Sequence, residues 1–337
     1  MMKLNVPVSV LDLGPVRKGK TMKEAIFDMV YLARRVETLG YKRFWIAEYH
    51  NAAALVSSAP VVLMKHVLDR TTTIRVGSGG ILLPNYSPLI VAEQFGTLAH
   101  LHPNRIDLGI GRMTGSDPET MKAILGEKHE ERVKSFPEDM KALLRYFSDE
   151  EMQEEVQASI AIGTHVPVYL LGSSMFSAEL AGKLGLPYVF AAHIAPAHLD
   201  DALARYREAF TPSIYCKKPY VIVALNVIMA DSDREAEYEL TTAQQFILNA
   251  IRGVYNPLMP PVDSMDGRWT LAEKQVVNGT LRYSFVGSKE TVKKQWIRFQ
   301  KRYAIDELLA VTYIYDEEAQ IHSYQLLKEM VDECSGE

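Results

Sequence analysis

Short apolar runs alternate with amphipathic stretches along almost the whole chain. The short runs are rich in β-branched residues, as expected of strands buried on both faces; they are LNVPVSVLDL, RFWIAE, IRVGSGGILLP, RIDLGIG, VPVYLLGSS, YVFAAH, YVIVALNVIMA and ELLAVTYIY. The stretches between them have the apolar spacing of helices, and Gly40 and Gly185 follow two of them as expected C-caps. Eight such units predict an α/β fold of the (β/α)8 or TIM-barrel type, with an open doubly wound sheet as the alternative.

The length of the chain requires insertions in such a barrel. Its 337 residues exceed the roughly 250 that the barrel typically takes. We expect one domain spanning 1–337 with excursions at about 148–166 and 253–283. The second is too long for an ordinary loop and mixes Pro and Gly with Tyr, Met and Trp, which predicts a mobile lid, with a packed excursion as the alternative.

Composition narrows the class of protein. With 37 basic and 42 acidic residues the net charge is -5, which argues against a general nucleic-acid-binding surface. The apolar runs fall short of the roughly 20 residues that a membrane helix needs, and no export signal is visible. The two cysteines, Cys216 and Cys334, form no disulfide framework. We therefore expect a globular protein of the cytoplasm.

Residues that end the predicted strands are the candidates for chemistry, because active sites of this barrel lie at that end. They include Asp12, Glu48, Tyr49, His50, Gly79, Gly80, Arg112, Ser173, Ser174 and His193. The imidazole of His50, the carboxyl of Glu48 and the phenol of Tyr49 form a set suited to proton transfer near neutral pH. Purely structural roles for the three remain the alternative.

A second group of strand-end residues suggests an anion site. Arg112 ends the fourth predicted strand, and an arginine there suits bidentate recognition of phosphate, although a salt bridge is the alternative. The fifth strand leads through a polar segment into a helix whose first-turn N–H groups could face the same anion; the segment comprises Ser173, Ser174, Met175 and Ser177. A plain serine N-cap is the alternative.

Other motifs carry weaker signals. Glycines inside a strand mark either a bulge or a close approach of the backbone to a ligand, and for Gly79 and Gly80 both interpretations stay open. The run Gly109–Gly115 lacks the spacing of a dinucleotide fingerprint. No metal site is predicted from the histidine pairs, which are His100 with His102 and His193 with His198.

Several of these stretches together resemble the bacterial luciferase-like flavin-dependent monooxygenase family. They are SVLDLGPVRKGKT, LGYKRFWIAEYHN, IRVGSGGILLPNYSPLIVAEQFGTL, HPNRIDLGIGR and LLGSSMFSAELAGKLGLPYVFAAHIAP. The resemblance implies a barrel that binds reduced FMN and lets O2 form a flavin C4a-peroxide, which attacks a small organic substrate such as an aldehyde. It makes Arg112, Ser174 and Ser177 ligands of the flavin phosphate. It also places Gly79 and Gly80 at a non-proline cis peptide beneath the isoalloxazine ring.

The chain departs from the family at one prominent position. Glu48 and His50 match the family's Glu-His-His motif, but Tyr49 stands where the active luciferase subunit has its first histidine. Tyrosine, with an ordinary pKa of about 10, is a poor base at neutral pH. We therefore predict that His50 titrates and that Tyr49 donates a hydrogen bond. Tyr86 likewise replaces a frequent histidine.

The resemblance implies partners as well as a reaction. No NAD(P)H fingerprint is visible, so a separate NAD(P)H-dependent flavin reductase is expected to supply reduced FMN, and a homodimer is expected. Two alternatives remain: a deazaflavin-dependent hydride-transfer oxidoreductase, and a flavin-binding protein without catalytic turnover.

Overall fold

The computed structural model describes residues 4–113 and 117–334. Its strands are β1 (Val8–Asp12), β2 (Arg43–Ile46), β3 (Arg75–Leu82), β4 (Ile106–Gly111), β5 (Val168–Gly172), β6 (Tyr188–Ala191), β7 (Val221–Met229), β8 (Phe285–Gly287) and β9 (Glu307–Val311). All paired strands run parallel, and β6 pairs with β7, which closes a barrel of β1 to β7 and β9. The barrel predicted from the sequence is confirmed.

Helices follow the strands on the outside of the barrel. They are α1 (Met22–Thr38), α2 (Pro60–Leu68), α3 (Pro88–Leu101), α4 (Pro118–Leu125), α5 (His129–Lys134), α6 (Phe136–Tyr146), α7 (Met175–Lys183), α8 (Leu199–Ala209), α9 (Asp233–Ile251), α10 (Leu271–Thr280), α11 (Lys289–Tyr303) and α12 (Glu317–Glu333). Gly40 and Gly185 adopt φ angles of 79° and 63° just beyond α1 and α7. Such left-handed conformations favour glycine, so both expected C-caps are confirmed.

The strands are apolar on both faces because each face meets a different core. Val8 and Val10 of β1 belong to the cluster between the strands and the helices. Leu11 belongs to the cluster in the barrel interior, with Trp45, Ile222 and Leu309. Successive side chains of a strand point to opposite faces, so a strand in this position has no solvent face and loses the alternating pattern.

Three elements in the C-terminal part were not predicted: α10, inside the second excursion, and then β8 and α11. The three residues of β8 pair only with the end of β7, at Val227 to Met229, and stand outside the closed barrel. Helix α11 buries Val292, Trp296 and Phe299. A strand of three residues is too short to show a period, and without it the following helix cannot be recognised as part of a strand–helix unit.

Both excursions pack against the barrel. In the first, Ala158 and Ala161 are buried and the carbonyl of Ile160 meets His100 Nε2 at 3.0 Å. The second excursion contains α10. Earlier in the same excursion, the N–H of Leu258 donates to the Val16 carbonyl at 2.8 Å. The mobility of the second excursion stays a prediction. Within the described residues no helix is long and apolar enough to cross a membrane.

Candidate active site

A cavity of about 610 Å³, here called the mouth cavity, opens where the barrel strands end. Residues directly after β1, β2, β6 and β9 line it, together with the end of α9 and part of the second excursion. The lining residues are Leu13, Tyr49, His50, Ala52, Ala54, Leu55, Asp117, His193, Ile194, Phe246, Ile247, Asn249, Ala250, Ile251, Val254, Tyr255, Asn256, Thr280 and Tyr313. Most are apolar, as is usual for pockets that bind small molecules.

Glu48 is buried at the end of β2 and holds the neighbouring segments together. Its Oε2 accepts a hydrogen bond from the backbone N–H of Leu82 at 3.0 Å. Its Oε1 lies 2.9 Å from Tyr86 Oη and 2.9 Å from His50 Nε2. Glu48 is not among the described residues that line the mouth cavity, and its contacts hold His50 and Tyr86 in position.

His50, like Tyr49, reaches the mouth cavity. Its side chain is 21% exposed and lines the mouth cavity. Because Nε2 faces the Glu48 carboxylate, Nδ1 is the nitrogen left for other partners. The sequence placed Glu48 and His50 together, and the structure shows that one orients the other.

Tyr49 lies between them in sequence and points its side chain into the barrel mouth. It packs with the interior cluster and lines the mouth cavity. Burial raises the pKa of Tyr49 to about 12. The pKa of Tyr86 is raised as well, by burial first and then by the Glu48 carboxylate. Both phenols therefore keep their protons at neutral pH and can serve as hydrogen-bond donors.

The peptide bond between Gly79 and Gly80 is cis, at the position suggested by the family resemblance. The register of β3 against β4 shifts between Ser78 and Ile81, so the bulge interpretation of these glycines holds. A Cβ atom on Gly80 would lie 2.8 Å from the carbonyl of Gly109. The close approach that requires glycine is therefore to the neighbouring strand.

Arg112 and the start of α7 lie side by side at the ends of β4 and β5. Gly111 and Leu171 are partners in the β4–β5 ladder, and the Arg112 guanidinium lies 4.3 Å from the ring centre of Phe176. Among residues 4–113 and 117–334, Arg112 forms no ion pair, so the salt bridge weighed as an alternative is not seen there. Thr114 and Gly115 of the adjoining glycine-rich run lie outside the described residues.

The two serines of the predicted phosphate site cap α7. Ser174 Oγ accepts from the N–H of Ser177, and the two residues form a capping box. Ser177 is only 3% exposed, and its Oγ donates to the Ser174 carbonyl at 2.8 Å. Ser173 is partly buried, whereas Met175 is exposed. The hydroxyl of Ser177 is thus occupied within the protein, and the Arg112 guanidinium adjoins the first turn of α7 through Phe176.

His193 was named from the sequence as a strand-end candidate and, with His198, as an unlikely metal ligand, but no catalytic or binding role was assigned to it. It follows β6, lines the mouth cavity and is 7% exposed. Burial lowers the pKa of His193 to about 4, which the Ala224 carbonyl offsets only in part. Its position after a strand was the available signal. No group of three His, Cys, Asp or Glu that could hold a metal occurs in the described ranges.

Tyr313 and Asp12 also differ from expectation. Tyr313 follows β9, stacks on Phe246 with ring centres 4.8 Å apart and lines the mouth cavity, although it was not singled out from the sequence. Asp12, which was expected to join the others, points away from the cavity toward α1. Its Oδ1 accepts from the N–H of Gly14 at 3.0 Å.

These features define a (β/α)8-barrel protein whose cavity and titratable side chains lie at the carboxyl ends of the strands, the usual place of catalysis in this fold. A sequence model of the luciferase-like monooxygenase family matches residues 6–304. The chain belongs to the luciferase-like monooxygenase family, as its motifs indicated.

Relatives resemble the chain over nearly its full length. The protein YddN of Bacillus subtilis is 45% identical over 326 residues, covering 97% of this chain and 96% of YddN. A luciferase-like monooxygenase of Escherichia coli is 41% identical over 331 residues, covering 98% of each chain. The N-acetyl-S-alkylcysteine monooxygenase of B. subtilis is 30% identical and covers 97% of this chain and 98% of its own length.

Solved structures share the fold. Apo-MsnO8 has a TM-score of 0.85 and 32% identity, covering 97% of this chain and 98% of its own. The oxygenating constituent of 3,6-diketocamphane monooxygenase of Pseudomonas putida, solved with FMN, has a TM-score of 0.72, 18% identity and 97% coverage of both chains. An F420-dependent secondary alcohol dehydrogenase reaches 0.69 with 16% identity, covering 97% of this chain and 99% of its own.

Proposed function

We propose that this protein is a monooxygenase that uses reduced FMN and O2 to oxidise a small organic substrate. The observation that carries the proposal is that Arg112 and the start of α7 adjoin one another at the same end of the barrel as the cavity lined by Tyr49 and His50. Arg112 and the start of α7 are suited to binding an anion. The cavity is suited to an apolar reactant and to proton transfer. Family membership supports an oxygenase.

The residues present fit the phosphate of FMN. The Arg112 guanidinium is partly exposed and has no carboxylate partner within the described ranges. The N-terminus of a helix favours an anion through its free N–H groups, and a charge-assisted contact to arginine strengthens the site. In this proposal Arg112, Ser173, Ser174 and Met175 hold the phosphate, Ser177 shapes the α7 cap, and Gly79 and Gly80 adjoin the flavin ring.

Reduced FMN supplies the two electrons with which one oxygen atom of O2 enters the substrate and the other leaves as water. The protein's own residues move a proton, donate a hydrogen bond and exclude water. Glu48 fixes His50 through Nε2, so that Nδ1 can take up or release a proton. Tyr49 donates a hydrogen bond because its pKa keeps it protonated. The apolar wall that includes Phe246 and Tyr313 excludes water.

The decisive experiment supplies reduced FMN and ¹⁸O2 to the purified protein with a panel of aldehydes, alkanes, amines and thioethers. We expect one substrate class to gain a single ¹⁸O atom per flavin oxidised, as read by mass spectrometry. A reductase is expected to sustain the reaction with NAD(P)H, whereas the protein alone should not oxidise NAD(P)H. Flavin oxidation without labelled product from any member would contradict the proposal and favour a non-catalytic flavin-binding protein.

A second candidate is deazaflavin-dependent hydride transfer, because the F420-dependent dehydrogenase shares the fold at a TM-score of 0.69. Titrating the protein with FMN and with F420 separates the two. We expect FMN to bind more tightly and reduced FMN to be oxidised only when O2 is present. Tighter binding of F420, with substrate reduction under nitrogen, would establish the second candidate.

Arg112→Ala tests the phosphate site. Charge-assisted hydrogen bonds are worth roughly 1.5–3 kcal/mol, so this variant should weaken FMN binding at least about tenfold relative to riboflavin, which lacks the phosphate. Flavin fluorescence quenching measures both affinities. Arg234→Ala, on α9, serves as a surface control. Equal loss for FMN and riboflavin would place the phosphate elsewhere.

We also propose a homodimer formed through the helices near β2 and β3. The outer surfaces of α1, α2 and α3 expose Phe27 (51%), Val62 (68%) and Ile90 (45%). Sedimentation at micromolar concentration should show twice the mass of one chain, and Val62→Glu should shift the distribution toward monomer. A wild-type monomer at that concentration would contradict the proposal.

A further inference from the structure

The imidazole of His193 is a polar group in a mostly apolar cavity. It is held at the end of β6, where its backbone N–H donates to the Ala224 carbonyl at 2.9 Å. Its Nδ1 is buried and makes no hydrogen bond of good geometry among the described residues, although the Ala224 carbonyl is close enough to favour the protonated ring. Burying a polar group without a partner costs roughly 1–3 kcal/mol, so the imidazole of His193 is expected to lower the free energy of unfolding.

The adjacent strand, β7, carries a second buried side chain with a polar atom that lacks a hydrogen bond among the described residues. Asn226 lies on β7 between Ala224 and Ile228, which both belong to the interior cluster, and is 1% exposed. Its Nδ2 donates to the His193 carbonyl at 3.4 Å, while its Oδ1 has no partner in the part of the chain that the structure describes. Asn226 therefore supports the backbone that carries the imidazole and adds an unused acceptor beside it.

The charges around the mouth cavity are as informative as its polar groups. Asp117 is its only carboxylate among the described lining residues, and no lysine or arginine is found among them. The Asp117 carboxylate accepts from the Asn51 amide at 3.0 Å and from the N–H of Thr120 at 3.0 Å. An anionic substrate would thus meet no positive partner in these walls, apart from a protonated His50.

We propose that His193 is the specificity-determining residue of the mouth cavity and that the substrate is an uncharged, largely apolar molecule with one hydrogen-bonding group that His193 recognises. The inference rests on the proposed function, because it specifies the substrate class of that same site. The neutral imidazole offers one donor and one acceptor nitrogen, so it can bind a carbonyl, an ether or a hydroxyl. The apolar lining receives the rest of the molecule.

Binding of three eight-carbon probes tests the inference without turnover. The purified protein, saturated with oxidised FMN, is titrated calorimetrically at pH 7.5 with 1-octanol, n-octane and octanoate. We expect 1-octanol to bind about fivefold or more tighter than n-octane, the effect of one hydrogen bond, and octanoate to bind at least about tenfold more weakly than 1-octanol.

Variants assign the preference to His193. His193→Leu should bring the affinities for 1-octanol and n-octane within about twofold of each other, whereas His193→Gln should keep a preference for the alcohol. His198→Leu is the matched control, because His198 is exposed five residues further along the chain, and it should change neither affinity. Replacing an unpartnered buried imidazole with leucine should leave the urea midpoint at pH 7.5 unchanged or raise it.

Three results would overturn the inference: equal binding of 1-octanol and n-octane by the wild type, strongest binding of octanoate, or failure of all three probes to bind. A fourth would be a His193→Leu variant that loses stability yet keeps the preference for the alcohol, because that is the behaviour of a purely structural histidine. None of these measurements uses O2 or reduced flavin. Failure of the proposed monooxygenase reaction would therefore be detected separately.

Discussion

The two ends of the barrel differ in how completely their buried polar groups are paired. At the amino ends of the strands, the guanidinium of Arg43 lies 2.8 Å from Asp107 and 2.7 Å from Glu307, and all three side chains are almost fully buried. Asp107 also accepts from Trp45 Nε1 at 3.2 Å, and Glu307 from Tyr220 Oη at 2.8 Å. Each buried carboxylate at this end has several partners.

At the carboxyl ends, two buried atoms are left without hydrogen-bond partners among the described residues, although the buried Glu48 carboxylate there has three. The two atoms are His193 Nδ1 and Asn226 Oδ1, and both lie at or below the mouth cavity. The buried carboxylates at the amino end each have several partners, whereas His193 Nδ1 and Asn226 Oδ1 have hydrogen-bonding capacity that no described residue uses. We expect the paired groups to matter for stability and the mouth residues for the proposed function, and variants at both ends test this expectation.

Arg43→Met, at the amino ends of the strands, should give the largest effect, a loss of free energy of unfolding. It removes the cation that Asp107 and Glu307 share, leaving them with Arg75 and Lys42, and breaking a buried pair by removing one partner typically costs about 3–5 kcal/mol. Urea unfolding measures the loss. Lys141→Met is the control, because Lys141 pairs with Glu138 at 2.9 Å on the surface and should cost less than about 1 kcal/mol. Similar losses for both would remove the contrast between buried and exposed pairs.

His50→Ala, at the carboxyl ends of the strands, should give the next largest effect, a loss of turnover. We expect turnover to fall about a hundredfold or more, the usual size of a general acid–base contribution, and the limb of the pH profile near neutrality to disappear. Stability should change little, because the side chain is partly exposed and bonded only to Glu48 in the described structure. His198→Ala is the control. A loss of stability without a change in the pH profile would make His50 structural.

His193 predicts a dependence of stability on pH. Its pKa in the folded protein, about 4, lies below the roughly 6.5 of an unfolded histidine. The unfolded chain therefore binds the proton first, and the folded state loses stability as the pH falls through 6.5 toward 4. Since each pKa unit is worth about 1.4 kcal/mol, the stability of His193→Leu relative to wild type should rise by about 2 kcal/mol between pH 7 and pH 5. Urea unfolding at both values measures it, and a constant difference would contradict the assigned burial.

Tyr49→Phe should have the smallest effect. The neutral pH limb should remain, since Tyr49 does not titrate there, while a larger share of the O2 consumed should appear as H2O2. The ratio of H2O2 to flavin oxidised measures this uncoupling. If Tyr49→His instead raised aldehyde oxidation strongly while His50→Ala had no effect, the roles of the two residues would be reversed.

The barrel and much of its mouth could be predicted because both depend on signals close together in sequence. The eight apolar runs became the barrel strands, and the family motifs lay where those strands end. Strand β8 was not predicted because three residues are too few to show the alternation of a strand. Asp12 was misplaced because a residue at a strand end alternates between the two faces, and here it faces α1.

The sequence by itself determined the parallel α/β order, the family and the convergence of Glu48, Tyr49 and His50, since strand period and motif spacing are local properties. Only the tertiary structure decided which polar groups are paired and which are not. Arg43 and Asp107 are 64 residues apart in the chain, yet their side chains meet in the barrel interior. The pKa of His193 is lowered because the fold buries its side chain where β6 and β7 pair beside the mouth cavity. Burial, hydrogen bonding and pKa arise from contacts between distant segments, and no spacing along the chain encodes them.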